Sequence, residues 1–229
     1  PEQGKVHVGR AAASLVQARL ADGARIGISW GTTLYQVVRH IAPLPLSGVQ
    51  VIQLHGGLGA SNPDIDGFGL AQKLAEKLRG TYRIVQAPMV VQSEELRDML
   101  VREPGIAETL REGATVEIAL FGIGSNAPAV SSLVRAGYLT AEESLELWRG
   151  GAVGTVCGLH VNAAGSLADP LVARRTIGID APTLLAIPVR LGAAAGAAKA
   201  EAVLAAVRGR FVNTLVVDQE IAALVLAAG

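Results

Sequence analysis

Residues 24 to 38 read ARIGISWGTTLYQVV. Arg25 to Ser29 alternates apolar and other positions around Ile26 and Ile28, the two-residue period of a strand, and Leu34, Val37 and Val38 return at the three- and four-residue spacing of a helix. Gly31 breaks the first pattern, and the hydroxyls of Thr32 and Thr33 stand where the second begins. Such a junction combines a residue that lets the backbone approach a ligand with the free amides of a helix start, which favour an anion. A phosphate fits it. The same residues also fit a plainer reading, in which Gly31 makes a tight turn and Thr32 caps the helix.

Outward from this stretch the chain keeps the same rhythm. The pattern predicts strands over Arg25 to Ser29, Gln50 to Leu54, Tyr82 to Val90, Val116 to Gly122, Leu184 to Val189 and Asn213 to Val217. Segments such as FGLAQKLAEKL and AEAVLAAVRG between them have the periodicity of covering helices. Strands alternating with helices predict an α/β fold, a doubly wound and mostly parallel sheet covered on both faces. The stretch from Gly150 to Pro182 departs from this rhythm with GGAVGTVCGLHVNAAG and predicts a small inserted α+β lobe, at about residues 150–182. In sheets of this kind ligands gather beyond the carboxyl ends of the strands. Glycine-rich loops are expected there after four strands: SWGTT, HGGLG, GIGSN and GAAAGAAK. None of them is a dinucleotide fingerprint or a Walker loop, so NAD and ATP are not indicated, and no cofactor or metal is expected.

Composition narrows the function. The chain has 229 residues, half of them apolar, with 20 basic and 20 acidic side chains and no net formal charge. That is enough chain to bury a core, and it lacks the basic field that drives binding to nucleic acid or anionic lipid. Cys157 is the one cysteine, which excludes an internal disulfide and fits a reducing cytoplasm; between Val156 and Gly158 it reads as a small buried hydrophobe. The C-terminal run IAALVLAAG is too short to span a bilayer, and no signal peptide is visible. The chain begins at Pro1 and passes almost at once into a helical pattern, as a piece of a longer protein would.

Six segments, IGISWGTTLYQVV, VIQLHGGLG, ALFGIGS, GAVGTVCGLHVNAAG, the glycine-rich run ending in Lys199, and GRFVNTLVVDQEIA, occur in one order over nearly the whole chain. In this the sequence resembles the effector-binding domains of SorC-type transcriptional regulators, also called bacterial DeoR-type sugar sensors. The resemblance implies a Rossmann-like fold similar to sugar-phosphate isomerases and deaminases, and a domain over residues 1–229 that binds a phosphorylated sugar. It implies a homo-oligomer, dimer or tetramer, that meets DNA only through an N-terminal helix-turn-helix absent from this chain. The alanine-rich AAASLVQARLA near the N-terminus is a candidate for self-association.

By the same resemblance, Trp30, Gly31, Thr32 and Thr33 match a phosphate cradle, although Trp30 also fits core packing. His55, with Gly56 behind it, stands where relatives often carry Arg or Lys; a histidine there reads a hydroxyl or phosphate with a charge that fades near neutral pH. Asn62 or Asp66 is placed to bond sugar hydroxyls, Gly124 and Ser125 to approach the ligand, and Lys199 to face the phosphate. Asp218 matches a family aspartate or caps the last helix, and Gln219 replaces the usual acidic neighbour. The alternative function is a sugar-phosphate isomerase or deaminase, with His55, Asp66 and Asp218 as candidates to move a proton.

Overall fold

The computed structural model describes residues 2–57, 63–168 and 170–228; the Asn62 expectation lies outside them. The strands are β1 (Arg25–Ile28), β2 (Gln50–Gln53), β3 (Thr81–Arg83), β4 (Ile118–Ser125), β5 (Ala152–Val156), β6 (Leu159–Asn162), β7 (Val189–Ala194) and β8 (Thr214–Val217). Helices precede or connect them: α1 (Glu2–Gln17), α2 (Thr32–His40), α3 (Gly67–Leu78), α4 (Glu94–Leu100), α5 (Pro104–Gly113) and α6 (Ser132–Arg135), then α7 (Ala141–Arg149), α8 (Leu171–Arg174), α9 (Ala181–Ala186), α10 (Ala200–Arg208) and α11 (Gln219–Ala228).

Six strands run parallel in the order β3, β2, β1, β4, β7, β8. The chain winds outward from β1 to one edge, returns to the middle with β4, and winds to the other edge. Ile26 is paired with Val51 on one side and Ile118 on the other, so the reversal lies between β1 and β4.

Alternation along each strand sends its side chains to two separate cores. Ile118 and Leu120 pack with Ile26, Ile28 and Leu191 beneath α1, α2 and α3. Ala119, Phe121 and Ile123 pack on the opposite face with Leu184, Val203 and Ile221 from α9, α10 and α11. Each face therefore has its own helical cover, the doubly wound α/β arrangement expected from the pattern.

β4 outlasts its neighbours. Its first residues pair with β7 in parallel, Ile118 through Gly122, and its last, Ile123 to Ser125, pair antiparallel with β5. β5 and β6 form a hairpin closed by Cys157 and Gly158, both at positive φ (50° and 82°), the requirement of a two-residue type I′ turn. Val153, Val156, Cys157 and Val161 bury into the same core as Phe121 and Ile123, so this segment leans directly on the switch region of the sheet.

Two expected strands are corrected. Of the expected Leu184 to Val189 strand only Val189 lies in one: Asp180 accepts the Thr183 amide at 2.9 Å and Pro182 occupies the first turn, so α9 runs to Ala186 and β7 starts at Val189. The Tyr82 to Val90 strand shrinks to β3, after which the chain makes only single bridges, Pro88 to Gly57 and Val90 to Thr176. Within the alanine-rich segment, Ala12, Ala13 and Val16 pack into the core with Leu34 and Val37 of α2, while Ala11 and Leu15 stay exposed.

Candidate ligand-binding cleft

A cleft of about 150 Å³ opens where β1 and β4 end side by side, at the point of reversal where open α/β sheets place their ligands. The β1–α2 junction supplies Ser29 to Leu34, β4 supplies Gly122 to Gly124, and α6 supplies Ser132, Leu133 and Arg135. Thr155, Cys157 and Gly158 of the hairpin and Lys199 complete most of its wall.

The start of α2 leaves a helix N-terminus open to the cleft residues around it. Gly31 sits at φ 126°, a conformation closed to other residues in practice, and its amide donates to the Ile65 carbonyl at 3.0 Å. It is also the N-cap residue, and no side chain caps the helix. The first-turn amides therefore keep their hydrogen-bonding capacity and the positive end of the helix dipole. Thr32 does not cap the helix. Thr33, only 3% exposed, has a hydroxyl with no hydrogen-bond partner among the described residues. A buried hydroxyl left this way costs about 1–3 kcal/mol, a cost that a ligand oxygen would remove.

Positive charge converges on the same cleft. Lys199 closes a 3₁₀ turn, Ala197–Lys199, and stands as the N-cap of α10. Burial pushes its ammonium down to about 8, and the nearby Lys5 and Arg135 push the same way against the attraction of Asp218. The Lys199 ammonium forms no hydrogen bond or ion pair among the described residues; its backbone amide donates to the Gly196 carbonyl at 3.0 Å. A half-desolvated cation among like charges at a helix start is held there at a cost that a bound anion offsets.

The sequence matches the family model described as "Putative sugar-binding domain" over residues 2–227. The chain belongs to the sugar-binding domain family of SorC/DeoR-type transcriptional regulators. It is 30% identical over 213 residues to the deoxyribonucleoside regulator of Bacillus subtilis strain 168, covering 93% of this chain and 67% of that protein. With the transcriptional regulator LsrR of Enterobacter sp. strain 638 it shares 31% identity over 225 residues, 97% of this chain and 67% of the relative. The full-length sorbitol operon regulator SorC from Klebsiella pneumoniae superposes with a TM-score of 0.90 at 25% identity, covering 98% of this chain and 72% of that one. The domain is thus a sugar-binding module of a transcriptional regulator, and no helix among the described residues is long and apolar enough to cross a membrane.

Of the residues singled out for the SorC/DeoR-type site, the cleft brings together Trp30, Gly31, Thr32, Thr33, Gly124 and Lys199. Trp30 lines the cleft and also packs against the cluster of Met89 and Leu133. The other five lie beside or behind the wall. His55 is fully buried, with Nε2 at 2.7 Å from the Ser29 hydroxyl and Nδ1 at 2.8 Å from the Gly56 carbonyl oxygen. Burial lowers its pKa against the opposing influence of the Gly56 carbonyl and Asp66, so the fading charge expected of it near neutral pH is replaced by a neutral ring acting through Ser29. Gly56 is required by packing, because a Cβ there would stand 2.4 Å from the Pro88 carbonyl oxygen.

Asp66 is the N-cap residue of α3, next to the cleft residue Ile65, and its charge is felt by His55 and Tyr138. Ser125 ends β4 and accepts the Ala127 amide at 3.2 Å. Asp218 accepts the Ile221 amide at 3.0 Å, the capping role, and the Gly196 amide at 2.6 Å. Sequence reasoning passed over Ser29, Ser132, Arg135, Thr155 and Cys157. Ser29 adjoins the decisive motif and was within reach; the others arrive through tertiary contacts that no local pattern announces.

Proposed function

We propose that this domain senses a phosphorylated sugar and transmits the binding event, through a change in subunit arrangement, to DNA-reading segments joined to it. One observation carries the reading: the uncapped start of α2, Thr33 with a buried hydroxyl that has no partner among the described residues, and Lys199 with its ammonium depressed toward 8 all belong to the lining of a single cleft. Phosphate is the group that answers amides, hydroxyls and ammonium together. A ligand held there touches β1 and α2, the α6 segment, the hairpin and the Lys199 loop at once, so its binding energy bears on the relative arrangement of four elements. Turnover is disfavoured because the two buried histidines are turned inward. His55 bonds Ser29 and Gly56, and His160 receives the Asn126 amide.

Calorimetry with a panel of pentose and hexose monophosphates, the same sugars without phosphate, and inorganic phosphate tests the reading, with sedimentation run on each mixture. Sugar phosphates are expected to bind far more tightly than the free sugars and to shift the oligomer distribution. Equal affinity for phosphorylated and free sugars would overturn the phosphate assignment. Slow conversion of any member of the panel, followed by chromatography, would restore the isomerase or deaminase alternative.

A further inference from the structure

Two hydroxyls in the cleft wall have their protons committed away from the cleft. The Gly56 carbonyl 2.8 Å from His55 Nδ1 can only accept, so Nδ1 carries the ring proton of the neutral imidazole. Nε2 is then a lone pair, and the Ser29 hydroxyl 2.7 Å away must donate to it. The second case is independent. The Asn126 amide nitrogen lies 2.8 Å from the Ala152 carbonyl oxygen and 3.2 Å from that of Gly154. Two carbonyls fix which end of the amide is nitrogen, which leaves Oδ1 facing Thr155 Oγ1 at 2.6 Å. Thr155 therefore donates to Asn126. His160 Nδ1 lies 3.1 Å from the Asn126 amide nitrogen and 3.4 Å from Thr155 Oγ1, and with either tautomer the Thr155 proton goes to Asn126 Oδ1, its shortest contact and one that can only accept.

Ser29 and Thr155 both line the cleft, and with its proton spent inward each hydroxyl oxygen is left as an acceptor, Ser29 beside the Cys157 thiol. We propose that Ser29 and Thr155 are specificity-determining acceptors for hydroxyl donors of the ligand, a role that rests on the sugar-phosphate reading above. The preferred ligand is a sugar or polyol phosphate with free hydroxyls at the positions these residues reach. A deoxy carbon there forfeits the bond, and a carbonyl or carboxylate oxygen meets lone pairs of the same sign. His55 and Asn126 are positioning residues that hold this polarity. The arrangement complements the start of α2, where amides donate: the cleft presents donors to an anion and acceptors to hydroxyls.

The test pairs protein variants with ligand analogues. Calorimetry is run with the tightest-binding sugar monophosphate of the panel, its mono-deoxy analogues and inorganic phosphate, on the parent domain, Ser29→Ala, Thr155→Val and Thr155→Ser. The parent should lose about tenfold or more for particular deoxy analogues. Ser29→Ala and Thr155→Val should each bind the full sugar phosphate about tenfold more weakly, bind one deoxy analogue as well as the parent does, and leave inorganic phosphate unaffected. Thr155→Ser, which keeps the hydroxyl, should restore discrimination. Melting curves establish that each variant is folded, and the Thr155 pair decides the matter if loss of the Ser29 hydroxyl unfolds the domain. Folded variants that keep the parent's discrimination among deoxy analogues overturn this proposal alone. If no sugar phosphate binds the parent, the sensing proposal falls and this one falls with it.

Discussion

Asp218 Oδ2 accepts the Gly196 amide at 2.6 Å, which ties the end of β8 to the loop that delivers Lys199. Its other oxygen caps α11 through the Ile221 amide at 3.0 Å, so one carboxylate positions two elements without lining the cleft. Asp218→Asn preserves shape and removes the charge. We expect a loss of about 1–2 kcal/mol in stability, from a weaker cap and the end of a charge-assisted bond. Asp218 is also the group that favours the charged form of Lys199, so sugar-phosphate affinity should fall as well. Urea denaturation beside calorimetry checks both, and a variant equal to the parent in both would show that the Lys199 loop holds its place unaided.

Thr33 separates stability from binding. Its hydroxyl is buried and has no partner among the described residues, so Thr33→Val replaces it with a methyl of nearly the same shape and removes an unsatisfied group. The ligand-free domain should keep or slightly raise its melting temperature. Sugar-phosphate binding should weaken by about 1–3 kcal/mol, more when Thr32 is changed to valine too. A drop in melting temperature with unchanged affinity would place the hydroxyl in the fold and not in the site.

Local pattern carried the half of this site that is local. Strand, glycine, two threonines and helix follow one another between Arg25 and His40, and the structure keeps all of them in one place. The pattern failed where tertiary contacts decide. APTLLAIP is an apolar run as suited to a buried strand as to a short helix, and the choice is made by the Asp180 cap and Pro182. β7, which follows, is built of Gly and Ala after Leu191 and carries almost no strand propensity; its place between β4 and β8 makes it a strand. Arg135 and Thr155 reach the cleft from α6 and the hairpin, over distances in sequence that periodicity does not span. His55 stands in the right sequence neighbourhood, yet burial turns it from a ligand contact into a support for Ser29.

Lys199 gives the site a pH dependence of definite sign. Its ammonium is lowered to about 8 in the ligand-free domain, and a phosphate beside it raises it again, so binding takes up protons above that pH. Affinity should fall as pH rises through 8 to 9, a range in which the phosphate, with a second pKa of about 6, no longer changes charge. Stability runs the other way. Between about 8 and the ordinary value of 10.5 the unfolded chain holds more protons than the native one, so stability without ligand rises with pH there. At pH 7 the charged Lys199 destabilises the native state, and Lys199→Met should raise the melting temperature while weakening binding and its salt dependence. A melting temperature lowered at pH 7 would show that the ammonium is stabilising where it stands.

His160 predicts how the hairpin side of the cleft fails in acid. The ring is 2% exposed, its Nδ1 accepts the Asn126 amide at 3.1 Å, and burial lowers its pKa to about 4. Above the ordinary value of 6.5 both folded and unfolded chains carry it neutral, and it makes no pH-dependent contribution. As pH falls below 6.5 the unfolded chain binds a proton that the native state refuses, so stability declines until the native ring itself titrates. The loss from this one group is on the order of 3 kcal/mol between pH 6.5 and 4. His55, also lowered by burial, adds to it with the same sign. His160→Gln retains an acceptor for Asn126 and removes the titration. Denaturation midpoints of parent and variant measured at pH 7.5 and 5 should therefore converge on acidification, the parent losing more. Because Asn126 also holds Thr155, protonation of the ring should loosen that hydroxyl before the sheet unfolds, and hydroxyl discrimination should fade before phosphate affinity does. A His160 ring proton resonance that titrates near 6.5 in the folded domain would contradict both expectations.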